Sequence, residues 1–392
     1  MNDNRTGFSL RRFNLVASTL LGLLIVVGLA SWLYVAIKGA REAAIASASQ
    51  SPLNQLSVAL HNYHETYGCL PPAYVADADG TPIHSWRALI LPYVDGAELY
   101  KQYRFDEPWN GPHNIRLADR MPSIFHCPSE PESTKFANYV VIVGPQTAFP
   151  GATCTRFEQF EDGLNETILV AEIADSDIGW LEPRDLDVDT MSFDVNHNHQ
   201  PSISSNRNKG PYVVFADTIH AYWLGRSLST DALRALTTVN GGEAMSLVEL
   251  DGAGLFSLSE GPASDANLSQ LGRGESLTGV WLSRSPITDR GLAPLGRIES
   301  LSHLSLAGTQ ITDDGLKHIA NMTYYSLDLR DTCITDAAIP QLRTVQTVHR
   351  LDVSGTDITD ENFTNLEHVT ARHLARPRSD DRLNPSEDVD FD

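Results

Sequence analysis

The sequence is poor in cysteine, and this shortage excludes one class of protein. Its four cysteines, Cys69, Cys127, Cys154 and Cys333, are too few and too scattered for the disulfide-dense scaffold of a small secreted domain. No two of them form a C-x-x-C pair. Two readings stay open: a Cys127–Cys154 bridge formed in an oxidising compartment, or four isolated buried thiols.

Basic residues are also scarce, at 29 against 50 acidic ones, which gives a formal net charge of −21. The first 41 residues carry five basic groups and one acid, a balance of +4, so residues 42–392 carry a net charge of −25. An acidic exterior repels phosphate, and we therefore expect no nucleic acid among the partners.

The motifs of common enzymes are missing. The chain has no G-x-S-x-G nucleophile elbow, no phosphate-cradling G-x-x-x-x-G-K loop and no glycine fingerprint after a strand. Serine, histidine and aspartate are plentiful, but their spacing selects no catalytic triad. We predict no enzyme activity, no catalytic residue, no cofactor and no small-molecule substrate.

One long hydrophobic run is present. Residues 15–37 carry no charge and, as a helix rising ~1.5 Å per residue, are long enough to cross a hydrocarbon layer of ~30 Å. Basic residues precede this run more often than they follow it, which places the N-terminus in the cytoplasm. A cleavable signal peptide is the alternative, but its apolar segment is usually shorter. We predict a cytoplasmic stub (1–14), a transmembrane helix (15–37) and an extracytoplasmic remainder.

A fixed-period repeat dominates the C-terminal third. Four I-T-D turns recur at spacings of 24, 23 and 24 residues and end at Asp289, Asp313, Asp336 and Asp360. An alternating apolar run before each turn predicts a half-buried strand, and the aspartate is placed to cap a short helix after it. Asp265 lies 24 residues before Asp289, so the array is expected to begin near Leu228 with one or two degenerate, longer repeats.

These turns resemble bacterial leucine-rich repeats of the L-x-L-x-x-T-x-I-T-D-x-G-L type. The resemblance implies an α/β solenoid, which we predict over residues 228–375, followed by a disordered acidic tail at 376–392. Its strand-lined concave face is expected to bind a protein partner. The alternative is that the repeats only cap and stabilise another domain.

The segment between the hydrophobic run and the repeats begins as a helix. Apolar residues at helical spacing extend it to about Tyr67, with a kink or break expected at Pro52 and a stop before Pro71 and Pro72. A series of short motifs then follows: His61-Asn-Tyr-His64-Glu-Thr-Tyr-Gly68, Pro71-Pro72, Ser85-Trp86-Arg87, Leu91-Pro92-Tyr93, Trp109-Asn110, Cys127-Pro128-Ser129, Asp162-Gly163-Leu-Asn165 with Glu172, and Val213-Val-Phe215-Ala-Asp217.

In this order the motifs resemble a bacterial prepilin-like family, the domain of unknown function 1559. The resemblance implies an α+β, pseudopilin-like domain over residues 38–225, in which a long N-terminal helix packs on a small antiparallel sheet. We place its strands at 139–143, 167–173, 211–215 and 221–224. It also implies an envelope location and a role in assembly or scaffolding, with no established catalytic residue.

The chain departs from the prepilin pattern at its processing site. Arg12 stands where the family has the glycine before the cleavage point, and Ala17 stands where it has a glutamate. We therefore predict that the protein is neither processed nor polymerised, and a minor pilin or pseudopilin subunit is the alternative. The family's closing His-x9-Asp-Gly element is also altered, with Arg207 in place of the histidine and Thr218 after Asp217.

Three sets of residues could bind a ligand, and each has a structural alternative. His61 and His64 share a helix face and could bind a metal, but their order is not the H-E-x-x-H of zinc proteases. Packing or hydrogen bonding to the sheet is the favoured interpretation. Trp86, Trp109 and Trp180 could line a glycan groove or belong to the core. Candidate calcium ligands form an acidic, histidine-containing stretch that is otherwise solvated: Asp185, Asp187, Asp189, Asp194, His197 and His199.

Together these features predict a single-pass protein of the bacterial inner membrane whose ectodomain joins a pilin-like domain to leucine-rich repeats. We expect it to act in protein–protein interaction or scaffolding. A calcium- or glycan-binding surface module is a further alternative.

Overall fold

The computed structural model describes residues 5–366, apart from short gaps at 208, 218–220, 226–227, 251–253, 259–260, 270, 272–276, 299–300, 346 and 365. The chain divides into two compact units at Ser51 and Pro52. The acidic tail predicted at 376–392 lies outside the described residues.

The described α-helices are α1 (Arg5–Tyr67), α2 (Trp86–Leu89), α3 (Ala97–Tyr100), α4 (Thr230–Ala235), α5 (Asp265–Leu268), α6 (Asp289–Leu292), α7 (Ile339–Leu342) and α8 (Asp360–Thr364). The described strands are β1 (Tyr74–Ala76), β2 (Pro82–Ser85), β3 (Tyr139–Val140), β4 (Ile142–Val143), β5 (Ile168–Glu172), β6 (Leu186–Asp187), β7 (Tyr212–Phe215), β8 (Ala221–Trp223), β9 (Leu247–Leu250), β10 (Gly254–Ser257), β11 (Leu277–Trp281), β12 (His303–Ser305), β13 (Thr323–Asp328) and β14 (Thr347–Asp352).

The first unit consists of the N-terminal part of α1. The side chains of residues 5–26, which include much of the predicted span 15–37, lie outside the described part. Among the residues that the structure describes, no helix has a stretch long and apolar enough to cross a membrane. The transmembrane helix therefore stays a prediction. Helix α1 runs through Pro52 without interruption, so a break at that residue is wrong, whereas a kink there stays a prediction.

Residues 52–224, called here the sheet domain, contain the predicted antiparallel sheet. Its strand order is β3-β5-β7-β8, and these strands fall within the four ranges predicted from the sequence. The C-terminal end of α1 supplies Leu53, Leu56 and Leu60 to the domain core, each fully buried. The helical spacing of these leucines therefore identified the buried face of α1 correctly.

Residues 245–366, called here the repeat domain, form a six-stranded sheet in the order β10-β9-β11-β12-β13-β14. Strands β11 to β14 are parallel and in register, as a repeating array requires. Their leucines and isoleucines form one continuous core with the short helices that follow each strand.

The start of the array differs from the expectation of degenerate repeats near Leu228. The segment there forms α4, and β9 then pairs antiparallel with both β10 and β11. An antiparallel hairpin closes the end of the parallel sheet and covers apolar side chains that a missing repeat would leave exposed. Only α5, which begins at Asp265, keeps the register predicted for an earlier repeat.

Candidate functional site at the interface of the two domains

The four parallel strands turn one row of side chains into the repeat core and the alternate row toward the opposite face. This second row, called here the strand face, consists of Trp281, Ser283, His303, Ser305, Ser326, Asp328 and Asp352. Every one of these residues is no more than 9% exposed. Apart from Arg350, which lies in the same row and is half-buried, the strand face is therefore covered, and the element that covers it is the sheet domain.

One end of the strand face makes aromatic contacts. The Tyr222 hydroxyl lies 2.7 Å from His303 Nε2, and the Tyr222 and Trp281 rings meet edge-on at 5.9 Å between centroids. Phe215 packs 6.4 Å from the same indole ring. Since Phe215 belongs to β7 and Tyr222 to β8, two strands of the sheet domain rest directly on the repeats.

The middle of the interface is built around one buried carboxyl group. Glu166 Oε1 accepts hydrogen bonds from the hydroxyls of Ser283 and Ser305, the latter at 2.7 Å. Its second oxygen has no partner within the part of the chain that the structure describes. Burial, with the added repulsion of Asp328, raises the pKa of Glu166 to about 7, although Arg330 and the two serines act in the opposite direction.

The other end of the interface is held by arginines. Arg330 donates to both carboxylate oxygens of Asp328 and also to the main-chain oxygens of Glu161 and Asp162, at 3.1 and 2.9 Å. Arg284 forms an ion pair of 3.3 Å with the carboxylate of Asp162. Burial opposes the charge on Arg330, but the neighbouring Asp328 outweighs it and raises the pKa of this arginine.

Acidic groups outnumber basic ones at this interface. Burial raises the pKa of Asp217 and of Asp352, whereas Arg330 overcomes burial and lowers the pKa of Asp328. A small polar cleft lies beside these groups. The residues that line it are Leu164, Asn165, Ser326, Asp328, Arg330, Arg350 and Asp352.

The I-T-D turns have a different role from the predicted one. The amide and hydroxyl of Thr312 donate to the two carboxylate oxygens of Asp289, in the preceding repeat, at 2.8 and 2.7 Å. The same pair of bonds recurs along the array: Thr288 to Asp265, Thr335 to Asp313 and Thr359 to Asp336.

The aspartate therefore does not cap its own helical turn, and that prediction was wrong. The threonine does so instead, as where Thr335 Oγ1 accepts from the amide of Ala337 at 3.1 Å. The carboxylate of the aspartate turns toward the next repeat, where it satisfies an amide and a hydroxyl together. Each I-T-D turn thus forms a cross-link between consecutive repeats.

The candidate calcium ligands are not brought together. Asp185 is buried, forms an ion pair with Arg87 at 2.6 Å and accepts from the Trp86 indole at 3.2 Å, so its oxygens are already used. Asp187 accepts from a nearby amide, and His197 Nδ1 accepts from the amide of His199. Among the residues 5–366 that are described, no three His, Cys, Asp or Glu side chains form a group that could hold a metal ion.

The other candidate residues serve packing. His61 Nε2 lies 3.0 Å from the oxygen of Ala216 at the end of β7, which confirms the expectation of bonding to the sheet. His64 stacks on Phe157 at 4.0 Å. Trp86 and Trp180 are at most 1% exposed and cannot line a glycan groove; Trp109 packs partly buried against the same core.

Arg207 has a structural role that the family comparison alone did not reveal. Its guanidinium forms an ion pair with Glu172, which is fully buried in β5. The Cys127 thiol donates to the same carboxylate at 3.0 Å. Cys127 is buried and bonded in the core, Cys154 is exposed, and neither is in a disulfide, so a Cys127–Cys154 bridge is wrong. The alternative of four buried thiols is wrong as well, because Cys154 and Cys333 are exposed.

Sequence comparison agrees with this division of the chain. Residues 38–153 match the model of a family described as a protein of unknown function, DUF1559. Residues 298–320 and 346–361 match a leucine-rich repeat model. The chain thus contains a DUF1559 domain followed by leucine-rich repeats, as the motifs predicted. No curated protein matches the chain.

Proposed function

We propose that this protein is a scaffolding or interaction protein of the bacterial inner membrane. Residues 15–37 anchor it, the N-terminus lies in the cytoplasm, and the two domains lie outside. The anchor is supported by the uncharged run and its basic N-terminal flank. The interaction role is supported by the leucine-rich repeats, since stacked repeats present extended surfaces to other proteins.

The observation that shapes this proposal is the burial of the strand face. Because the sheet domain occupies it, a partner must use another surface of the repeats. The surface beside the short helices carries exposed basic side chains at Arg290, Arg297, Lys317 and Arg343. Lys317 is paired there with the exposed Asp314, and the other three basic side chains suit a partner with an acidic surface.

A charge-reversal experiment tests this assignment in the full-length protein. The triple variant Arg297→Glu, Lys317→Glu, Arg343→Glu should lose the partners that cross-link to the wild type in intact cells. Deleting the repeats would be less informative, because it would expose the buried Glu166 and the aromatic contacts of β7 and β8.

The matched control makes the same charge change on the sheet domain, at the exposed residues Lys101, Arg116 and Arg120. It should keep the partners. If both triple variants recovered the same set as the wild type, the repeats would be a stabilising cap, and the proposed interaction surface would be rejected.

The anchor is tested separately by membrane fractionation. The wild type should stay with membranes after alkaline washing, whereas a variant lacking residues 15–37 should not. An external protease should reach the repeats once the outer barrier of the cell is opened. Sequencing the N-terminus of the recovered protein distinguishes the alternative. A chain that starts at Phe13 would identify a processed pilin-like subunit.

A further inference from the structure

Two cysteines lie beside each other just after the end of helix α1. Cys69 follows the last turn of the helix, and Cys154 lies in a loop of the sheet domain. The amide of Leu70 donates to the main-chain oxygen of Thr155 at 2.8 Å. Since each cysteine immediately precedes one member of this bonded pair, the backbone brings the two thiols together.

Several contacts hold this loop along the helix. The Phe157 ring stacks on His64 at 4.0 Å with an interplanar angle of 17°, and the Phe157 amide donates to the same imidazole. Further along, the amide of Tyr74 donates to the oxygen of Gly151 at 3.4 Å. The approach of the two cysteines is therefore fixed by bonds on both sides of them.

The two thiols differ in their surroundings in a way that favours stepwise reaction. Cys154 is exposed, whereas Cys69 is partly buried. Burial, together with a side-chain hydrogen bond between Cys69 and Cys154, raises the pKa of Cys69 to about 12. Cys154 is thus the accessible thiol that an external reagent meets first, and Cys69 is the nearby thiol that resolves the product.

We propose that Cys69 and Cys154 form a disulfide bond when the protein meets a thiol–disulfide oxidant. The Cys154 thiolate attacks a disulfide of the oxidant and releases one of its thiols. Cys69 then loses its proton and attacks the Cys154 sulfur of the mixed disulfide, which releases the second thiol of the oxidant. Two protein thiols are oxidised, and one oxidant disulfide is reduced to two thiols.

The bond would tie the C-terminal end of α1 to the loop that ends at Phe157 and close the chain between residues 69 and 154. Because it removes freedom from the unfolded chain, it should stabilise the sheet domain. Its formation inside cells rests on the proposed extracytoplasmic location. Its formation in the purified protein does not.

Oxidised glutathione provides the test on purified full-length protein. The intact mass should fall by about two units, one hydrogen from each thiol. Peptide mapping should find residue 69 linked to residue 154, and the melting temperature should rise by roughly 5 °C or more. Cys69→Ser and Cys154→Ser should each abolish all three changes. Cys333→Ser, a matched change at an exposed cysteine, should keep them.

Two outcomes would overturn the bridge: protein that stays fully reduced under conditions that oxidise a control dithiol, or a map that links Cys154 to Cys333 or to a second chain. Trapping thiols in living cells addresses the location. A bridge that forms in the purified protein but is absent in cells would contradict the extracytoplasmic placement. The pairing of Cys69 with Cys154 would still be supported.

Discussion

Replacing Glu166 with glutamine tests how the interface between the two domains depends on pH. Glutamine has nearly the shape of the protonated carboxyl group and stays neutral at every pH. In the wild type, burial next to Asp328 raises the pKa of Glu166 from 4.5 to about 7, although the hydroxyls of Ser283 and Ser305 bond to it. The side chain is completely buried, so solvent screens this effect little.

The direction of the pH dependence follows from the direction of this pKa shift. A carboxyl group with a raised pKa in the folded state binds its proton more tightly there than in the unfolded chain. Its contribution to stability is therefore fully present below pH 4.5 and is lost as pH rises through 7. At ~1.4 kcal/mol per pKa unit, the loss is on the order of 3 kcal/mol.

Urea unfolding of the full-length protein between pH 4.5 and 8, followed by tryptophan fluorescence, measures the effect. The free energy of unfolding of Glu166→Gln should fall less with pH than that of the wild type, by about 3 kcal/mol across the range. Glu161→Gln, an identical change at an exposed residue nearby, should follow the wild type. Parallel profiles for Glu166→Gln and the wild type would refute the buried, protonated carboxyl.

Two further substitutions test the repeat cross-links and the core of the sheet domain. Asp313→Ala removes both hydrogen bonds to Thr335 and should lower the free energy of unfolding, measured by urea titration, by about 1–3 kcal/mol. The control Asp314→Ala, at an exposed neighbour, should change it little. Equal effects of the two substitutions would contradict the cross-link. Arg207→Ala leaves the buried Glu172 without its cation and should lower the free energy of unfolding by about 3–5 kcal/mol. The loss should be seen as a fall in Tm, and an unchanged Tm would contradict the ion pair.

The sequence predicted features that depend on local period. The I-T-D spacing located strands β12 to β14 and the core leucines, because a residue's position within a repeat decides whether it faces inward. The leucine spacing of residues 53–60 likewise predicted the buried face of α1. The role of the I-T-D aspartate was missed, since the pattern cannot tell a carboxylate that caps its own turn from one that reaches the next repeat.

The interface could not be predicted for a different physical reason. Ser283, Ser305 and Asp328 occupy the alternate positions of half-buried strands, where polar residues normally face water. Their burial depends on Glu166, which is distant in sequence, and on Arg330, which follows strand β13. A partial signal was present, because aspartates recur at equivalent positions of the last two strands, at Asp328 and Asp352. Without the position of the sheet domain, that recurrence did not indicate a contact.

Burial of the strand face changes what the repeats can do. An interface that contains Glu166, Asp328 and Arg330 is specific, because removing any one of them leaves a buried polar or charged partner unsatisfied. A protein partner that competed for this face would have to replace each of those bonds and also displace the aromatic contacts of Trp281 and Tyr222. A partner on the exposed helical side of the repeats replaces none of them. The same bonds that close the strand face therefore favour the opposite side of the repeats as the surface for recognition.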